Sequence, residues 1–173
     1  MKANSIFDIP NIIASEKDAL PFIEKRLEEE AFEQVKALRL PEAQKNFNEI
    51  LHSLYTSSIT FEQACHRTEQ EIVTPPDYRK IRRWSERLVR TEMSKIFTLG
   101  YGDYLLSIGE KECFIPHTKC DESEECLRVI AGRRFSIELI QANIYKNYGL
   151  RTPIHPTVPL HANCRHIITK IES

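Results

Sequence analysis

From residue 20 to residue 38 apolar side chains recur every three or four positions, at Leu20, Ile23, Leu27, Ala31, Val35 and Leu38. That spacing places one apolar stripe on an amphipathic helix. Ser15, with Asp18 three positions on, reads as its cap, which predicts a helix from Ser15 to Leu40. Pro21 lies in the first turns, where proline is tolerated, and Pro41 ends the element. A second helix carries Phe47, Ile50, Leu51 and Leu54. A third runs from a Thr60 cap to about Val73. Thr74-Pro75-Pro76-Asp77 breaks the pattern. Beyond it Tyr78, Ile81, Trp84, Leu88, Ile96 and Leu99 return to helical spacing, in one long helix loosened at Gly100 and Gly102.

From Gly109 onward the segments are short and rich in turn residues. Ile137, Ile140 and Ile144 share a face of one further helix, Ser136 to about Tyr148, with Gly149 placed as its C-cap. Short strands are expected near Cys113–Ile115 and His166–Ile171. The fold class expected is therefore α+β, mainly α. Residues 1–14 read as a flexible tail, 15–74 as a helical arm, 75–109 as a long basic helix and 110–173 as a Cys/His-rich module.

The 173 residues suffice for one core, or for an arm plus a small domain. With 41% hydrophobic and 28% charged residues and a net charge of −1, the composition is that of a globular protein with no bulk preference for an acidic or basic partner. The sequence has no apolar run of the roughly 18 residues a membrane helix needs, and no membrane partner is expected. The N-terminus lacks the apolar core of a secretory signal. Synthesis in a reducing cytoplasm is the expectation, where cysteines stay unpaired.

The cysteines change the picture. Of five, Cys113, Cys120, Cys126 and Cys164 lie in the last third, as do four of the six histidines, His117, His155, His161 and His166. In a reducing compartment that joint enrichment points to metal. His117-Thr-Lys-Cys120 and His161-Ala-Asn-Cys164 both have the two-residue gap that lets donors share one turn of backbone. The preferred ligand set for a structural zinc is Cys120, Cys126, His161 and Cys164, with His117, His155 and Cys113 as substitutes. His166, two residues past Cys164, would share its face in an extended segment. The competing reading is a set of buried thiols and surface histidines without metal.

Between Arg79 and Lys95 stand seven basic residues, among them Arg79, Lys80, Arg82, Arg83 and Arg87, against two acids, Glu86 and Glu92. Such a row can neutralise nucleic-acid phosphates. It can equally be a solvated face paired with the acidic first helix, which carries Glu24, Glu28, Glu29, Glu30 and Glu33. No phosphate-binding glycine loop, HExxH or GxSxG is present, so neither catalysis nor a small-molecule substrate is expected.

Three segments in order carry a resemblance: Arg90-Thr91-Glu92 in the long helix, Cys126-Leu-Arg-Val-Ile-Ala-Gly-Arg-Arg-Phe135, and Pro159-Leu-His-Ala-Asn-Cys-Arg-His166. Over about residues 80–170 the chain resembles the Mu F-like minor head proteins of tailed phages, the phage head morphogenesis family. Matched position by position, the family motif falls on Arg90, Thr91 and Glu92, its aspartate on Asp121, its second cysteine on Cys126 and its glycine on Gly132. Its closing His-x-x-Cys falls on His161 and Cys164. The chain departs from the pattern in lacking a tight Cys-x-x-Cys, in Phe114 where tryptophan is common, and in Ala162 where proline follows the histidine. The resemblance implies a non-enzymatic minor component of the virion head, made in the bacterial host cytoplasm. It would contact portal and major capsid proteins and packaged DNA, and act in head assembly and in DNA packaging or ejection. The alternatives are a metal-dependent nuclease or toxin-like enzyme, and a stand-alone zinc module binding nucleic acid.

Overall fold

The computed structural model describes residues 5–29, 32, 42–72, 78–118 and 122–173, with residues 78–81 as backbone alone. The fold is mainly α with one small antiparallel sheet. Among the described residues the α-helices are α1 (Ile9–Ser15), α2 (Leu20–Glu29), α3 (Ala43–Tyr55), α4 (Phe61–Glu71), α5 (Tyr78–Ser107), α6 (Glu124–Val129) and α7 (Ile137–Ala142). Strand β1 (Glu112–Ile115) pairs with β2 (Arg133–Ser136), Cys113 opposite Phe135.

Of the tail predicted over residues 1–14, residues 5–14 are helical turns packed on the core, and residues 1–4 lie outside the described residues. Ser5 and Asp8 form a reciprocal capping box, and Pro10 sits in the first turn of α1, where its missing N–H costs nothing. Ile6, Ile9, Ile12 and Ile13 are buried, and the Ile6 N–H donates to the Arg165 carbonyl at 2.9 Å. The N-terminus therefore backs the segment that holds Cys164 and His166. Ser15 does not cap the next helix but closes α1, its hydroxyl donating to the Ile12 carbonyl. A short 3-10 turn, Lys17–Ala19, redirects the chain into α2. Helix α2 is described over Leu20–Glu29, and the predicted continuation to Leu40 falls, apart from Phe32, outside the described residues. Phe32 is non-helical and packs edge-on against Phe47.

Helices α3 and α4 form where periodicity places them. Phe47, Ile50, Leu51 and Leu54 are buried, and Thr60 with Gln63 completes a capping box. The long helix α5 runs unbroken for 30 residues, glycines included. From Thr91 to Gly102 every residue is buried, since α2, α4 and α7 pack around it. Gly100 permits this approach: a β-carbon there would lie 2.5 Å from the Ile23 Cα. It is a close-packing site rather than a hinge.

In the C-terminal third, hydrogen bonds from side chains stand in for regular structure. Helix α7 stops at Ala142, well before the predicted Tyr148, and turns follow as far as Gly149 at φ 79°. Asn143 donates to the Pro156 carbonyl. Asn147 donates to the His155 carbonyl and accepts from the N–H groups of Ile154 and His155. The strand expected at His166–Ile171 is reduced to one bridge, Thr169 with Phe114, and the second strand is Arg133–Ser136 instead. One hydrophobic core joins both ends of the chain, from Ile6 to Ile168.

Candidate metal centre

Two short elements bring the sulfurs together. Ser123 caps α6 by accepting the Cys126 N–H at 3.1 Å, which fixes Cys126 in the first turn. The His161–Cys164 segment is a tight turn, closed by the Cys164 N–H on the His161 carbonyl at 3.1 Å. Cys126 Sγ and Cys164 Sγ then lie 3.9 Å apart, and Cys164 Sγ lies 3.6 Å from His166 Nδ1. All three residues are buried, and the three donor atoms lie within 4.8 Å of one another. A tetrahedral ion with bonds of about 2.3 Å to sulfur and 2.0 Å to nitrogen sets sulfurs about 3.8 Å apart, and sulfur and nitrogen about 3.5 Å apart. Cys126, Cys164 and His166 can hold a metal ion.

The surroundings orient these donors. Glu122 Oε1 sits 3.3 Å from His166 Nε2, which turns Nδ1 toward the sulfurs in the carboxylate–histidine arrangement common around metals. Glu122 also accepts from the Thr118 N–H and bonds His117 Nδ1 at 3.0 Å. Burial alone would raise the Glu122 carboxyl, but these bonds outweigh it and hold it below the ordinary value. Burial would likewise lower His166; the Cys126 sulfur and Glu122 outweigh it and raise that imidazole. Without metal the two thiols are perturbed in opposite directions. Cys126 donates to Cys164, which pushes Cys126 up to about 11 and Cys164 below its ordinary value.

His161 stands beside the group, not in it. Its Nε2 is 3.2 Å from Cys126 Sγ and 3.0 Å from Ser123 Oγ, while its Nδ1 accepts the Asn163 N–H. In a neutral ring that leaves Nε2 as the protonated nitrogen, a donor toward the sulfur rather than a ligand. Of the four ligands expected from sequence, then, Cys126 and Cys164 meet, His161 is an outer partner, and Cys120 lies outside the described residues. His166 takes the third place. Its spacing of two from Cys164 was the signal for it, whereas nothing local marked Glu122. Of the substitutes, Cys113 of β1 is buried and donates to the Phe135 carbonyl, its thiol pushed up to about 12 by burial, His117 is the Glu122 partner, and His155 is a backbone partner of Asn147.

Some of the other residues singled out in the sequence lie around this group, and others do not. Arg90 lines a cleft of about 350 Å³ with Glu122, Cys126, Cys164, Arg165 and His166. Thr91 donates to the Ala162 carbonyl at 3.0 Å. Glu92, buried, pairs with Lys95, whose ammonium lies 5.3 Å from the centre of the Tyr145 ring. Gly132, at φ 71°, carries the His117 ring where a β-carbon would lie, 2.4 Å from Nε2. Asp121 lies outside the described residues.

The basic row divides. Arg83 and Arg87 are exposed, whereas Arg82 is tied to Glu86 at 3.4 Å and to Glu62 at 3.9 Å. The side chains of Arg79 and Lys80 lie outside the described residues. Pairing with the acidic first helix is absent among the described residues: Glu24 bonds His52, and Arg26 of α2 meets Asp103 of α5. Among the described residues no helix is long and apolar enough to cross a membrane. No family model, curated protein or solved structure matches the chain.

Proposed function

We propose that the chain is a non-catalytic minor component of a tailed-phage head, with a structural zinc closing its C-terminal module. Cys126, Cys164 and His166 supply three donors. Cys120, six positions before Cys126, supplies the fourth, and His161 donates to the Cys126 sulfur from outside the shell. The observation that carries the zinc is a buried group of two sulfurs and one imidazole nitrogen within 4.8 Å of one another, Cys164 lying at tetrahedral spacing from each of the other two, with a carboxylate on the imidazole's other nitrogen. Four protein donors leave no position for a reacting water, which makes the centre structural. Bound zinc would join α6 to the His161–His166 segment and hold them against α5, in a module with little regular structure of its own.

The head-protein reading is supported by the meeting of residues that carry the family resemblance. Arg90, Cys126 and Cys164 share one cleft, and Thr91 reaches across to Ala162. Portal and major capsid proteins are the partners this reading assigns, with exposed Arg83 and Arg87 facing packaged DNA. A metal-dependent nuclease or toxin-like enzyme, the alternative, would need an open coordination position.

Metal analysis of the purified chain, set against Cys164→Ala, Cys120→Ser and His161→Gln, tests the centre. About one zinc per chain is expected in the unmodified protein, lost with folding of the module in Cys164→Ala. Cys120→Ser should lose it too, while His161→Gln should keep it at reduced affinity. A metal-free but folded protein would remove the zinc. DNA cleavage that disappears in a folded Cys164→Ala variant would replace the structural reading with the enzymatic one. Absence of the chain from purified particles would remove the head assignment.

A further inference from the structure

We infer that the cleft beside the cysteine/histidine group is a binding site for a phosphoryl oxyanion, held between the guanidinium groups of Arg90 and Arg165. This goes beyond the zinc centre and does not depend on it. Both arginines line the cleft of about 350 Å³. The Arg90 Nε is shut off from solvent and has no hydrogen-bond partner among the described residues. The arginine ion pairs among those residues belong to Arg26, Arg67 and Arg82, so neither cleft arginine is ion-paired to a described carboxylate. Glu122, the one carboxylate on the wall among the described residues, is engaged by His117, His166 and the Thr118 N–H.

Two arginines on one cleft wall, with no described carboxylate paired to either and only the charge of Glu86 acting on Arg90 from a distance, are an unfavourable arrangement. Burial holds Arg90 below its usual range, and the charge of Arg165 lowers it further. The metal does not relieve this. Zinc on two thiolates and a histidine is neutral, and a third thiolate brings one negative charge against two positive. In either case the Arg90 Nε keeps no hydrogen-bond partner among the described residues. A tetrahedral dianion matches both the charge and the paired N–H geometry of guanidinium better than a single carboxylate does.

The helix points to the source of that group. Arg83, Arg87 and Arg90 follow at intervals of four and three, which sets them along one side of α5. Arg83 and Arg87 are exposed and Arg90 is partly enclosed, so the row leads from solvent into the cleft. A nucleic-acid strand laid along such a row would bring a phosphate to its inner end. The shared chemistry is the phosphoryl group, and a strand or free phosphate can supply it.

Thermal unfolding of the full chain in inorganic phosphate and in chloride at matched ionic strength tests the site, with zinc content measured in every sample. Phosphate should raise the unfolding temperature of the unmodified protein. The increment should disappear in Arg90→Gln/Arg165→Gln and persist in part in Arg90→Lys, which keeps the charge and the packing of the stem. An equal increment in the double variant would show exclusion of phosphate from the surface and overturn the site. No increment in the unmodified protein would also overturn it. Loss of zinc together with the phosphate response would overturn it in favour of phosphate contact with the metal. Fluorescence anisotropy with a 5′-phosphorylated single-stranded oligonucleotide separates the sources. Strand binding that inorganic phosphate displaces, and that falls about tenfold in the double variant, assigns the site to a strand. A phosphate response without strand binding assigns it to free phosphate. Strand binding that survives both the double variant and added phosphate removes the cleft as the contact.

Discussion

The hydroxyl of Thr91 donates to the carbonyl oxygen of Ala162 at 3.0 Å, joining the middle of α5 to the turn that presents Cys164. Thr91 is nearly buried, so a substitution of the same shape isolates the bond. Thr91→Val should lower stability by about 1 kcal/mol, since the carbonyl loses its partner while the packing persists. The urea midpoint reads this directly. Faster transfer of metal to a chelator should accompany it, and an unchanged midpoint would show that the bond contributes nothing net.

Glu122 makes a second test, of orientation rather than of attachment. Its carboxylate holds His166 Nε2 and the His117 ring at once. Glu122→Gln keeps the size but turns one oxygen into an amide that cannot accept from an imidazole N–H. Metal affinity should fall by about 10- to 100-fold with the fold retained. Competition with a chromogenic chelator measures it, and an unchanged affinity would mean that packing alone orients His166.

The two ends of the chain show what sequence can reveal about this fold and what it cannot. Thr60 with Gln63, and Phe47 with Ile50, Leu51 and Leu54, are local patterns, and the helices they predict form. Ile6, Ile9, Ile12 and Ile13 are an equally regular set, but Pro10 among them reads as a breaker unless it falls in a first turn, where it is harmless. His166 was visible as a spacing of two. The choice between His161 and His166 was not, because it rests on which nitrogen the Asn163 N–H and Glu122 occupy. The meeting of Cys126 with Cys164 depends on a tertiary path over the core, and no periodicity encodes it.

Two thiols outside the centre predict an alkaline effect. Burial pushes both Cys65 and Cys113 up to about 12 from an ordinary 9.0. The fold thus favours the neutral thiol. Its contribution to stability is complete below the unfolded value and is lost as pH rises through 9 toward 12. Cys65→Ala should therefore lose less stability than the unmodified chain over that window, on top of a pH-independent cost for the smaller side chain. Urea midpoints across the window measure the difference. Parallel pH profiles for the two proteins would contradict a buried neutral Cys65.

Gly100 and Gly102 lie two residues apart in α5, yet substitution should affect them differently. At an exposed helix position, glycine to alanine stabilises by about 1 kcal/mol. At Gly100 the new β-carbon would stand 2.5 Å from the Cα and 2.9 Å from the backbone nitrogen of Ile23. Backbone cannot rotate aside, so α2 would have to move off α5 and strain the Arg26–Asp103 pair that joins them. At Gly102 the nearest atom is the Gln141 amide nitrogen at 2.7 Å, the end of a flexible side chain. It can swing away, giving up its bonds to the Leu99 carbonyl and to Asp103. Gly100→Ala should cost about 2–3 kcal/mol, and Gly102→Ala about 1 kcal/mol or less after the helix-propensity gain. Equal costs, or a stabilised Gly100→Ala, would mean that α2 does not rest on α5 at Ile23.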